Sequence, residues 1–160
     1  MSNNSNLEAT VRRLADLEAI RDLPRRYAHC VWNGDGKSIV ELFAEQGSMD
    51  IGDGRPIVGR ENLKRDYGDM LTGIGLYPYV HNHVVELDGD QATGHCYLDL
   101  RATMGDQSMI GSGWYDDSYV RENGAWKFAS RVLHIRFLVP VGEGWADVDG
   151  KQGDVFPARD

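Results

Sequence analysis

Hydrophobic positions recur at helical spacing in the first part of the chain and alternate in the later part. Leu7, Val11, Leu14, Leu17, Ile20, Leu23, Tyr27 and Cys30 follow one another in steps of three and four, which lays them along one helical stripe. Ser5 and Glu8 have capping-box spacing at its start. Pro24 predicts a kink or restart near Leu23, because proline removes an amide donor. Asn33-Gly34-Asp35-Gly36 ends the run with turn chemistry. A short second helix burying Ile39, Val40, Leu42 and Phe43 follows, then a strand over Gly47–Ile51. A third helix opens at Gly59-Arg60-Glu61 and carries Leu63, Tyr67, Met70 and Leu71.

From there the period is two. Val80–Leu87, Ala92–Arg101, Met109–Arg121 and Trp126–Val141 read as strands, with turns at Asp88-Gly89-Asp90, Gly105-Asp106 and Glu122-Asn123-Gly124. Helices first and a meander afterwards predict an α+β fold, with helices packed on one face of an antiparallel sheet. With no repeat and no linker, one domain over residues 1–160 is expected, and the Gly-, Asp- and Pro-rich tail from Gly142 is expected to wrap a surface or a neighbouring subunit. Strict alternation sends Ala92, Gly94, Cys96, Leu98 and Leu100 toward the helices and His95 and Asp99 away. It also puts His81 and His83 on the face of Val85 and Leu87. On the last strand it turns Phe128, Val132, His134, Arg136 and Leu138 inward and Arg131 outward.

Composition narrows the function. Hydrophobic residues make up 41% and charged residues 26%, as in ordinary globular chains. A net charge of −8 argues against a nucleic-acid partner. No apolar run approaches the roughly 20 residues that span a bilayer, and the N-terminus lacks an apolar signal core, so a cytoplasmic protein without membrane attachment is expected. Cys30 and Cys96 read as reduced thiols. His81 and His83 lack further ligands at metal spacing, and Gly111-Ser112-Gly113 lies inside a strand, so neither metal nor nucleotide cofactor is expected. The outward face of Tyr97 and the aromatic tail around Trp145 and Phe156 predict a homodimer or homotrimer.

A buried strand face carrying His and Arg must bond them, pair them or let them line a wet cavity. The segments LADLEAIRDLPRRYAHCVWNGD, ELFAEQGSMD, VVELDGDQATGHCYLDL and GWYDDSYVRENGAWKF, in this order and spacing, resemble the SnoaL-like branch of the nuclear-transport-factor-2-like superfamily. That group includes scytalone dehydratase, hexachlorocyclohexane dehydrochlorinase and bile-acid dehydratase. The resemblance implies a cone, a strongly curved antiparallel sheet (a cystatin-like roll) with N-terminal helices closing it over an apolar pocket. It also implies elimination chemistry, with a His on the first meander strand as base, an Asp at the end of the first helix to orient it, and a Tyr to assist the leaving group. Tyr27 and Asp35 match the helix-end positions, and Arg136 matches an anion-stabilising Arg of the last strand. The His position falls near Tyr77–Tyr79, and a bulge would bring in His81.

The catalytic set is therefore His81, Asp35 and Tyr27. His suits proton abstraction because its pKa is near neutrality. Arg136, His134, His83, Tyr79, Trp32 and Trp114 are expected to contact a small hydrophobic cyclic substrate. Asp35 also fits as the cap of the second helix, and Tyr27 as a core aromatic. The expected function is a cofactor-independent lyase or isomerase. The alternatives are a non-catalytic small-molecule binder of the same fold, or the small subunit of a ring-hydroxylating dioxygenase.

Overall fold

The structure, a computed structural model, describes residues 2–68, 70–71 and 75–146. Helix α1 (Ser2–Trp32) is followed by α2 (Gly36–Val40), β1 (Phe43–Asp50), β2 (Ile57–Val58) and α3 (Arg60–Asn62), which continues as a π-helical segment over Leu63–Gly68. Strands β3 (Gly75–Asp88), β4 (Gln91–Met104), β5 (Gln107–Glu122) and β6 (Ala125–Pro140) complete a curved sheet of order β2-β1-β6-β5-β4-β3. Every pairing is antiparallel except β1 with β6, which is parallel. No described helix is long and apolar enough to cross a membrane.

One face of the sheet is covered by α1, whose Ile20, Leu23, Tyr27 and Val31 are buried against it. Two local expectations are corrected here. The helix begins at Ser2, so Ser5 lies within it and does not cap it. Nor does Pro24 break it. Helix runs on through Trp32 because the proline ring is fully buried, and its packing offsets the lost amide bond. The expected wrapping tail lies, from residue 147 onward, outside the described residues. Trp145 itself stacks on Phe137 at 5.2 Å.

Three bulges decide which side chains face inward. On β3 the register slips between His81 and Val84, where Asn82 takes a positive φ of 49°. On β6 one extra residue, Ala129, separates the partners of Tyr119 and Ser118, and another, Arg136, separates those of Gly113 and Ser112. Each extra residue turns the following side chains to the opposite face. Along β6 the buried set therefore runs Trp126, Phe128, then Arg131, Leu133 and Ile135, then Leu138. The continuous alternation read from the sequence is overturned on both strands. On β4, which has no bulge, Ala92, Cys96, Leu98 and Leu100 are buried as expected.

Above the sheet, α2 and the π-helical segment meet backbone to backbone at Gly36 and Gly68. A Cβ on Gly36 would lie 2.1 Å from the Gly68 carbonyl oxygen. Backbone cannot give way as a side chain does, so Gly36→Ala should lower stability by about 3 kcal/mol in urea unfolding. An unchanged midpoint would show that the two segments do not touch.

Candidate active site

At the centre of the inner face lies an ion pair with no exposed surface. Arg131 donates from Nε to Asp117 Oδ1 at 2.8 Å and from Nη2 to Asp117 Oδ2 at 2.9 Å. The guanidinium carbon sits 3.8 Å from the ring centre of Tyr115 and 4.3 Å from those of Tyr27 and Phe128. Burial works against the charged guanidinium, but the Asp117 carboxylate outweighs it and raises the Arg131 pKa. Arg131 Nη1 is buried with no hydrogen-bond partner.

The chain of polar contacts continues to a histidine. Tyr119 donates its only proton to Asp117 Oδ2 at 2.9 Å, so toward His83 Nε2, also at 2.9 Å, its oxygen accepts. Nε2 of His83 therefore carries the ring proton and Nδ1 holds the lone pair, buried and without a partner. Desolvation lowers the His83 pKa to about 4, so the ring is neutral near pH 7. Gly94 makes room for this arrangement, since a Cβ there would lie 2.7 Å from His83 Nε2 and 2.8 Å from the Tyr119 ring.

On the other side of Tyr27 and Tyr115 is an apolar cavity of about 20 Å³, large enough for roughly one water. Val31, Leu71, Leu76, Pro78, Leu98 and Leu133 line it together with Tyr27, Tyr67 and Tyr115. The hydroxyls of Tyr27 and Tyr67 touch. Burial raises the pKa of all three phenols, so they stay neutral, and of these rings Tyr27 and Tyr115 lie against the buried cation.

The expected site residues separate in space. Tyr27 lines the cavity and is 2% exposed. Asp35 is exposed and accepts from Ser38 N at 3.1 Å as the cap of α2, and the Ser38 side chain, together with that backbone bond, lowers its pKa. His81 is corrected to the outer face. It precedes the bulge, lies 3.7 Å from Asp99 and stacks on Tyr97. The same bulge turns His83 inward. His134, Trp114 and Arg136 are likewise corrected outward, because Ala129 and Arg136 shift the register of β6 and because Trp114 alternates with buried Tyr115. On that outer face, rings of His81, Tyr97, His95, Trp114 and His134 succeed one another across four strands. Asp116 lies 2.7 Å from His95 Nδ1 and 3.0 Å from His134 Nε2. Tyr79 is 49% exposed and also faces away from the cavity. Trp32 is part-exposed at the edge of β3, where its Nε1 donates to Pro78 O at 2.8 Å and its ring meets Tyr77 and Tyr79.

Sequence reasoning missed Arg131, Asp117, Tyr119, Tyr67 and Tyr115 as site residues. Gly94 was the available signal, since a glycine inside a strand marks a bulge or a close approach. Among the described residues, no group of three or more His, Cys, Asp or Glu is placed to hold a metal ion.

A family model described as SnoaL-like domain matches residues 12–132. No curated protein matches the sequence significantly. Among solved structures, a putative scytalone dehydratase from Novosphingobium aromaticivorans is 18% identical, with a TM-score of 0.73 over 84% of this chain and 99% of that one. A protein of unknown function from Mycobacterium tuberculosis is 27% identical, with a TM-score of 0.73 over 91% and 85%. A hexachlorocyclohexane dehydrochlorinase from Novosphingobium barchaimii is 19% identical, with a TM-score of 0.75 over 83% and 94%. The shared fold is cystatin-like.

Two stability measurements test this interior. Asp117→Ala strands a buried cation and should cost about 3–5 kcal/mol, whereas Asp117→Leu with Arg131→Met should recover most of that loss. If both unfold at the same denaturant concentration, the pair is not buried. Because the His83 pKa is lower folded (about 4) than unfolded (6.5), the unfolded chain binds more protons in between. The His83 contribution is complete above pH 6.5 and is lost as pH falls toward 4. His83→Gln should flatten this slope, and an unchanged slope would place His83 in solvent.

Proposed function

The chain belongs to the SnoaL-like domain family, and from that premise we propose that it is a cofactor-independent lyase or isomerase of a small hydrophobic cyclic molecule. The observation that carries the reading is the pair of touching, neutral phenols of Tyr27 and Tyr67, set in an apolar cavity over the buried Arg131. Donors fixed where an oxygen becomes negative stabilise that charge best in a site without water, and they need no rearrangement as it forms. Tyr27 and Tyr67 hold the substrate oxygen, and Arg131, clamped by Asp117, supplies a positive field from below. His83 is the imidazole bonded into the inner-face network; it stands outside the described cavity lining, so its unpartnered Nδ1 takes the proton from carbon, and passes it to the departing hydroxyl, only once the lining side chains move to admit the substrate. Tyr119 fixes its tautomer, in place of the expected pairing of His81 with Asp35. Solved structures of this fold include a putative scytalone dehydratase and a hexachlorocyclohexane dehydrochlorinase, which agrees with elimination chemistry.

A cavity of about 20 Å³ admits a ring only if its lining side chains move. No imidazole or carboxylate lines its described part. That observation favours a second reading, a non-catalytic binder of the same molecules.

Both readings are tested with cyclic β-hydroxy ketones, following enone absorbance for turnover and tryptophan fluorescence for binding. Tyr27→Phe removes one hydrogen bond and should weaken binding about tenfold, while His83→Gln should abolish turnover and leave binding intact. Binding without turnover in the unaltered protein would establish the second reading. Failure to bind would contradict both.

A further inference from the structure

A buried phenol usually finds a hydrogen-bond partner, because a donor shut away from water and left unbonded is destabilising. Three tyrosines of the interior follow this rule. The hydroxyls of Tyr27 and Tyr67 touch each other, and that of Tyr119 donates to Asp117 and accepts from His83. Tyr115 does not follow it. Only 4% of the residue is exposed, and among the described residues its hydroxyl makes no hydrogen bond.

That hydroxyl stands where the polar network ends and the cavity begins. Side chains two apart on a strand share a face about 7 Å from each other, so Tyr115 follows Asp117 along the inner face of β5. One face of its ring lies 3.8 Å from the Arg131 guanidinium carbon, nearer than the rings of Tyr27 or Phe128. Tyr27 meets the ring edge-to-face at 5.8 Å. Beyond these contacts Tyr115 lines the cavity together with Tyr27 and Tyr67. The three phenol oxygens are close enough that charge on Tyr115 would raise the Tyr67 pKa, and charge on Tyr27 that of Tyr115. Tyr115 is also a firmly held part of the wall. Its strand is paired on both sides, with Cys96 of β4 and Leu133 of β6, whereas Leu76 and Pro78 lie on the edge strand β3. A cavity that widens to admit a ring therefore widens on the side away from Tyr115.

We propose that the Tyr115 hydroxyl holds a second oxygen of the ligand, so that the cavity selects cyclic molecules carrying both a ketone and a hydroxyl, as in a β-hydroxy ketone. The role rests on the cavity being the ligand site, and it holds for the enzyme and the binder alike. Two touching phenols use one of their two protons between them, so the Tyr27–Tyr67 pair has one proton left for the ketone oxygen. The ligand hydroxyl accepts from Tyr115. In the enzyme that hydroxyl is the departing group. Its carbon–oxygen bond breaks with the electron pair going to oxygen, and the electrons of the lost carbon–hydrogen bond form the double bond. The proton that His83 took from carbon completes water. Tyr115 keeps its own proton throughout and stabilises charge on the departing oxygen.

Two probes test this role in the full chain, a cyclic β-hydroxy ketone and the same ketone without the hydroxyl, with binding read by stopped-flow tryptophan fluorescence before turnover. The unaltered protein should bind the hydroxy ketone about tenfold more tightly. Tyr115→Phe should erase that preference by weakening the hydroxy ketone alone, while Tyr27→Phe should weaken both probes alike. Urea unfolding gives a readout without ligand. Tyr115→Phe should leave the midpoint unchanged or raise it, whereas Tyr119→Phe, which loses two hydrogen bonds, should lower it. An unaltered protein without the preference would overturn the role of Tyr115 and leave the cavity as the ligand site. So would a Tyr115→Phe variant that keeps the preference or weakens both probes equally. A Tyr115→Phe midpoint lowered as far as that of Tyr119→Phe would also overturn it, by showing the hydroxyl bonded within the fold. Binding of neither probe would contradict both the role and the ligand site.

Discussion

A guanidinium with no contact with water must be matched almost completely, because an unpaired buried charge costs several kcal/mol. In this protein Asp117 takes two of the Arg131 hydrogen bonds and three aromatic rings surround its carbon. Much of the interior follows from that requirement. Tyr119 donates to the same carboxylate, His83 donates to Tyr119, and Gly94 stays without a side chain so that both rings fit. On the other side, Tyr27 and Tyr115 serve at once as walls for the cation and as lining for the cavity. A substrate oxygen held there would sit over a cation that cannot leave and cannot be screened by water.

The pair exists only because a strand is irregular. Without Ala129 as an extra residue, Arg131 would point to solvent and Ser130 would face Asp117. The bulge at Asn82 does the same for His83. One inserted residue per strand thus converts an apolar sheet face into one with a polar centre, without altering the helices that cover it.

This is also why the sequence disclosed the fold better than the site. Periods of three and four in α1 and of two in β4 arise from regular backbone, and they correctly gave Ile20, Leu23 and Tyr27 on one side and Leu98 and Leu100 on the other. Turn chemistry located the hairpins. A bulge leaves no comparable trace, because one extra residue is invisible to a pattern of alternation until its partner strand is known. His81 and Arg136 were accordingly read inward and His83's true partner, Tyr119, was not seen. Asp35 illustrates a different limit, since the residue type that orients a histidine is also the one that caps a helix, and here it caps. Arg131 was assigned outward by counting alone, although an arginine between Ser130 and Val132 gives no sign of its own burial.

The outer face of the sheet presents a ladder of half-exposed rings with Asp116 between two histidines, and the inner face a closed chain from His83 to Arg131. The bulge on β3 divides the two, placing neighbouring histidines in different environments. Nitrogen-15 NMR of the imidazoles reads that division directly. His83 should stay neutral with its proton on Nε2 down to about pH 5, consistent with a pKa near 4. A His83 that titrates as a free imidazole near pH 6.5, or that carries its proton on Nδ1, would place it outside the Tyr119–Asp117–Arg131 network.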